Sequence, residues 1–394
     1  KAARQLGIDL VAIRRINAPT NDSRYGASRQ PVTSAHLRDA LDIGAEQFAW
    51  QERRARSGQR NGSKIRAAAV GQAFHSAGAS GYDGLVRITP DGILHIHSGV
   101  GNLGTYSYAS TSRVAADALK YDWENCQIVR GDSSLGLPWN LGQFGSNTSF
   151  TMTRTNYVAA MDALRKLKEI AAIEFGGSAE DYDISGENVF SKSNSSRRMS
   201  YARAAQKAIE LGGAYSGHSV PDDINPMTAR AVAGLVDTGL IGVARDNMGQ
   251  RGMVPALAAG FIEIELDVET GKVEIIDYLG VADCGTVNHP QGLATQIKGG
   301  AVMGFGMALT ERHLYDDVWG LPGSVGFYQA KPPSYLDVPS EMDWAAVNIA
   351  DPENPVGSKG IGEPLMGCSA AALLCAISEA LEGHYFNRTP VVAD

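Results

Sequence analysis

Two stretches of the chain alternate apolar and polar residues with the period of a half-buried strand. In "GLVRITPDGILHIHSG" two such runs flank the turn "TPDG" and predict a hairpin. "GFIEIELDVETGKVEIIDYLGVAD" intersperses Phe261, Ile264 and Leu266 with Glu263, Glu265 and Asp267, turns at Glu269–Gly271, and resumes with Val273, Ile275 and Ile276. Glutamates in such a run are expected to face water. Elsewhere the spacing is helical. "TRTNYVAAMDALRKLKEIAAIEF" predicts a long helix, "SYARAAQKAIELGG" a shorter one with a glycine stop, Ser34–Ala49 a short one, and Lys1–Ile16 a single amphipathic helix that looks like the end of a domain. "HPQGLATQIKGGAVMGFGMALTERHLYD" is helical in its residue classes yet holds Gly299, Gly300, Gly304 and Gly306. Strand pairs followed by helices, twice over, predict an α+β fold with large mixed sheets rather than a regular parallel βαβ array.

With 394 residues, 44% of them hydrophobic, the chain can bury a large core in two or more structural units. A formal charge of -8 and the lack of a long basic run give no support to nucleic acid or an anionic membrane as partner. No apolar run reaches the roughly 20 residues of a bilayer span. The chain lacks a starting Met and the apolar stretch of a signal peptide and reads as beginning mid-domain; a cytoplasmic location is expected, in keeping with its cysteines. Cys126, Cys284, Cys368 and Cys375 show no zinc or iron–sulfur spacing and read as small buried hydrophobes of a reducing compartment. The Arg-rich "WQERRARSGQRNGSKIRAAAVG" reads as a connection whose charges face solvent, and "SGHSVPDDINPM" as a loop at an internal boundary.

The candidate chemistry gathers in four places. In "GSKGIGEP", Gly357, Gly360 and Gly362 allow close backbone approach to a bound group, and Glu363 stands at the start of the apolar helix "LMGCSAAALLCA". The helix N-terminus favours its charged form and burial opposes it, the balance that suits a carboxylate to proton abstraction. A helix cap that happens to be Glu, with Lys359 as a surface charge, fits the same residues. The four glycines of the "GGAVMGFG" helix cost roughly 3–4 kcal/mol relative to alanine. Either close helix packing requires them, or a flat polar cofactor lies against the backbone with Gln296 offering its amide. Gly99, Gly101 and Gly104 follow a strand and open a helix, as a phosphate-binding turn or a plain tight turn would. Ser146, Asn147 and Thr148 end a polar, glycine-containing stretch at a helix start, to cap it or to bind a ligand. His95 and His97 share one strand face without a third ligand, and no GxSxG elbow is present, which argues against a serine hydrolase.

In order and spacing these stretches resemble the molybdopterin-binding subunit of the molybdenum hydroxylases, the xanthine oxidase and aldehyde oxidoreductase family. "KAARQLGIDLVAIRRINA" is similar to the family's "lgmdPxelRxxN" helix, and "GNLGT" with "GDSSLGLPWNLGQFGSNTS" to its ExGQG and GDTxxxPxxxGxxxSxxT stretches. The second hairpin with "QIKGGAVMGFGMAL" looks like its QxxGGxxxGxGxAL helix, and "GSKGIGEP" like its KGxGE loop. The resemblance implies hydroxylation of a carbon next to a heteroatom, in an aldehyde or N-heteroaromatic compound, with water as oxygen source. It implies Glu363 as the base and Gln296, Gly299, Gly300, Gly104, Thr105, Ser146, Asn147, Thr148, Lys359, Gly360 and Gly362 as cofactor-binding residues. The cofactor would be a molybdopterin, as cytosine dinucleotide, carrying Mo with no metal ligand from this chain. Partner subunits would hold 2Fe-2S clusters, FAD, and the half of the molybdenum subunit that this chain lacks. On that reading residues 1–75 are linking helices, 76–225 a first and 226–394 a second cofactor-binding subdomain. Gly104-Thr105-Tyr106 stands where the family has GQG, and Met303 where it commonly has Gln; the "YDDVWGLPGSVGFYQAKPPSYLDVPSEMDW" loop also departs from the usual text. Two other readings are a scaffold relative that no longer holds the pterin and a reductive dehydroxylase of an aromatic thioester.

Overall fold

The computed structural model describes residues 1–392. In chain order its principal elements are helices α1 (Leu10–Asn17) and α2 (Leu37–Gln47), strands β1 (Lys64–Ser76), β2 (Asp83–Ile88) and β3 (Leu94–His97), helix α3 (Ser107–Ala118), strand β4 (Gln127–Val129), and helices α4 (Thr148–Phe175) and α5 (Tyr201–Leu211). There follow strands β5 (Leu240–Arg245), β6 (Pro255–Asp267) and β7 (Val273–Asp283), helix α6 (Pro290–Leu309), strand β8 (Glu341–Ala346) and helix α7 (Glu363–Ala380). They form two compact units, each discontinuous in sequence: Lys1–Ala77 with Arg251–Asp351 and Lys359–Asp394, and Gly78–Gln250 with Pro352–Ser358. The "SGHSVPDDINPM" loop lies inside the second unit.

In the first unit β6 and β7 make the expected hairpin, and the sheet runs β8, β7, β6, β1, ending on the short strand Arg60–Asn61. All neighbours are antiparallel except β7 and β8. Both faces are covered. On one, Val70, Leu257 and Phe261 pack with Leu37, Leu41, Phe48 and Trp50; on the other, Ala69, Ile262 and Ile264 pack with Phe305 of α6 and Leu373 and Ile377 of α7.

Coverage on both faces overturns two expectations. Glu263 has the strand parity of Phe261, so it points under the helices that cover Phe261 and is 2% exposed rather than facing water. A carboxylate so buried must be paired. The partners come from the Arg-rich connection, whose charges therefore do not all face solvent. Arg53 Nη1 reaches Glu263 Oε2 at 2.7 Å, Arg56 Nε reaches Oε1 at 2.9 Å, and Arg53 also bonds Asp277. The expected helix over Lys1–Ile16 is likewise two helices, Ala2–Leu6 and α1. Gly7, at φ 63°, ends the first, and Asp9 starts the second by accepting from the Val11 and Ala12 amides.

In the second unit the sheet order is β5, β2, β3, β4, with β2 and β3 the hairpin the alternation predicts and β3 parallel to β4. Val86, Ile88, Leu94 and Ile96 bury against Leu167 and Ile170 of α4, with Leu119, Tyr182 and Tyr201 completing the cluster. Ser200 caps α5, and Gly212 ends it at the predicted glycine stop.

Candidate functional site

The KGIGE segment starts where the chain re-enters the first unit at Lys359. Its backbone is fixed at one end of the sheet: the Lys359 amide donates to Cys284 O (2.7 Å), just past β7, and the Gly360 amide to Ala77 O (3.1 Å), just past β1. Lys359 is 1% exposed, so it is not a surface charge, and its Nζ lies 2.8 Å from Asp283 Oδ1 and 3.3 Å from Ser34 O. The ammonium thus forms a buried pair with the end of β7. From this fixed loop the chain turns into α7 with Glu363 as its first residue, half-buried, and Pro364 second; no side chain caps the helix at Gly362.

Helix α7 lies on β1 so closely that a Cβ at Gly71 would fall 2.1 Å from Cys368 O. Helix α6 lies against α7 just as tightly: a Cβ at Gly304 would meet Ser369 Oγ at 2.0 Å, and one at Gly300 would meet Leu365 Cβ at 2.8 Å and Gly362 O at 3.5 Å. Packing therefore accounts for Gly300 and Gly304. Gly299 differs, because a Cβ there would meet nothing within 4 Å. Gln296 is half-buried one helical turn before Gly300, the residue that faces Leu365 and Gly362 at the start of α7, and Gly299 is exposed.

The second unit assembles the other predicted residues around the start of α4. The 99–107 loop and the 139–147 loop are tied together by two side chains that sequence reasoning passed over. Asn140 Oδ1 accepts from the Gly99 amide (2.6 Å), while Gln143 accepts from the Leu103 amide (3.1 Å) and donates to Thr105 Oγ1 (2.9 Å). Gly104, at φ 88°, is exposed with open space at its Cβ position, and Tyr106 is 60% exposed. Asn147 occupies the N-cap position of α4 without capping it. Its amide donates to Phe144 O instead, and its Oδ1 is buried with no partner among the described residues. Thr148 opens the helix and Ser146 is buried at φ 52°. Asn354, also passed over, joins Phe150 O (3.0 Å) and Thr153 Oγ1 (2.8 Å) to the Val356 amide. Arg154, fully buried, forks onto Asp246 at 2.7 and 2.9 Å. An Asn beside Pro355 and an Arg among small polar residues at a helix start were the available signals.

These features suit a bulky polar cofactor better than a bare ion. In the first unit, α6 presents the Gln296 amide and the open flank of Gly299; in the second, taken by itself, the 28-residue α4 starts without a side-chain cap and with the orphaned acceptor of Asn147. Among the described residues there is no group of three His, Cys, Asp or Glu that could hold a metal ion. His97 Nδ1 donates to Gly136 O at 2.8 Å, and burial pulls its pKa down to about 4, so it is a neutral core residue. Cys284 and Cys368 are buried free thiols that burial pushes up to about 12; Cys126 and Cys375 are half-buried.

Residues 44–339 match the family model described as molybdopterin cofactor-binding domain. The chain is 26% identical over 402 residues to a putative xanthine dehydrogenase molybdenum-binding subunit of Escherichia coli, which covers 99% of this chain and 49% of the relative. It is 25% identical to the gamma subunit of the 6-hydroxypseudooxynicotine dehydrogenase complex of Paenarthrobacter nicotinovorans, over 91% of this chain and 42% of that one. The crystal structure of quinoline 2-oxidoreductase from Pseudomonas putida 86 superposes with a TM-score of 0.76 over 97% of this chain and 48% of its own, at 22% identity. The chain thus spans about half the length of the relatives it matches. With a family match over residues 44–339 and relatives aligned over nearly its whole length, the chain belongs to the molybdopterin cofactor-binding domain family, with the molybdenum-binding subunits of the xanthine dehydrogenase and aldehyde oxidoreductase type.

Proposed function

We propose that this chain supplies one wall of the active site of a cytoplasmic molybdenum hydroxylase or dehydrogenase, and that Glu363 is its base. The observation that carries the reading is the placement of Glu363 at the first position of an uncapped helix. Its loop is held at Cys284, Ala77 and Asp283, with Gln296 and the open flank of Gly299 on the adjoining helix. When bound, the molybdenum cofactor would supply two-electron redox chemistry and a water-derived oxygen for the substrate carbon. A Glu363 carboxylate oxygen receives the proton released as the carbon–oxygen bond forms. The buried Lys359–Asp283 pair holds the loop, and so the base, in position.

Gln296 and Gly299 would hold the pterin, and Gly104, Thr105, Ser146, Asn147 and Thr148 are the candidates for its phosphate-bearing or nucleotide portion, a cytosine dinucleotide. Substrates would be aldehydes or N-heteroaromatic compounds, a class supported by relatives named for xanthine, aldehyde and quinoline. The other half of the subunit, 2Fe-2S clusters and FAD would reside elsewhere in the assembly, as supported by relatives twice this length. In the purified complex, Glu363→Gln is expected to lower turnover by roughly 10³-fold or more while molybdenum and pterin content stay at the wild-type level. Undiminished turnover would refute the assignment of the base, and a wild-type complex without molybdenum or tungsten would favour the scaffold.

A further inference from the structure

Between α6 and β8 the first unit makes an excursion, residues 312–339, whose backbone is ordered while its large side chains are left bare. The Gly323 amide donates to Leu314 O (2.7 Å) and the Leu314 amide to Ser324 Oγ (3.0 Å). Asp316 Oδ1 closes a turn by accepting from the Val318 and Trp319 amides, Asp337 does the same for Ser334, and Pro333 seats on Gly306 of α6. Yet Trp319 is 78% exposed, Phe327 86%, Tyr328 82%, Tyr335 99% and Leu336 96%.

A backbone that satisfies its own hydrogen bonds but turns this much aromatic surface to water is built to be covered. Its residue types are those of an interface core, aromatic and aliphatic with few charges, and its internal bonds mean that little ordering entropy is lost on docking. We propose that residues 314–336 are the docking surface for the remaining half of the molybdenum subunit, on a separate chain or joined to this one. The occupant follows from length: this chain accounts for 49% of its Escherichia coli relative and 48% of the quinoline 2-oxidoreductase chain, and an obligate half-to-half contact is where a bare aromatic cluster is tolerated. The inference rests on the function proposed above.

Hydroxyl-radical footprinting of the intact complex and of this chain alone tests it. Oxidation of Trp319 and Tyr335 is expected to fall at least about tenfold in the complex, and Trp319→Ser with Phe327→Ser to weaken retention of the other half by about 30-fold or more. The same double variant should leave the melting temperature of the isolated chain unchanged, because these side chains are already in water. Met227→Ser, at another exposed apolar residue, should leave retention of the other half unchanged. Equal oxidation in both preparations would overturn the proposal. So would protection that appears in the isolated chain as its concentration rises, because the occupant would then be a second copy. A wild-type complex with no other half attached or fused would instead refute the functional reading, and this one with it.

Discussion

Lys359 and His97 show how far a residue's surroundings, rather than its type, set its role. A lysine in a glycine-rich loop reads as a solvent charge, yet here it neutralises Asp283 at 2.8 Å in a fully buried pair. Lys359→Met strands that carboxylate and is expected to cost about 3–5 kcal/mol of stability, measured by urea unfolding, with Asp283→Asn in the same chain restoring a good part of it. For His97 the folded pKa of about 4 lies below the unfolded value of about 6.5, so protons bind the unfolded chain more readily. Stability is therefore complete above roughly pH 6.5 and falls as the pH drops toward 4, by up to about 3 kcal/mol. His97→Asn, which can keep the donor to Gly136 O, should flatten that part of the stability profile. Neither environment could be read from the sequence, because Asp283 and Gly136 are remote along the chain.

Among the elements, both hairpins and the long helices were legible because a period of two or of 3.6 is a local property. What escaped was coverage by distant elements. Glu263 alternates as a water-facing residue should, but the helices that cover its face come from residues 37–55. The glycines of α6 were legible as a group and not one by one. Gly304 has no room for a methyl group, whereas Gly299 has open space. Gly304→Ala is expected to destabilise the chain by about 2 kcal/mol or more through forced separation of α6 and α7. Gly299→Ala should instead raise the unfolding free energy by several tenths of a kcal/mol to about 1 kcal/mol while lowering the molybdenum content of the purified complex. Calorimetry and metal analysis on the same samples separate the two effects.

For the molecule as a whole, the order of motifs carried the family before any element was placed, because such motifs mark backbone approaches that tolerate few residue types. The Gly104–Thr105 loop and the Ser146–Thr148 helix start, 40 residues apart, meet through Asn140 and Gln143. Each of the two units draws on separate stretches of chain, which a linear division at residues 75 and 225 could not express. The bare aromatic side chains of the 312–339 excursion are a matter of solvent exposure, which has no one-dimensional signature.

The contact between α6 and α7 sets a limit on how this wall can vary. Its spacing is fixed by hydrogen atoms at Gly300 and Gly304, so the direction of the proposed base depends on two places where no side chain exists. A single added carbon at either place would wedge the two helices apart and turn the proposed base out of position.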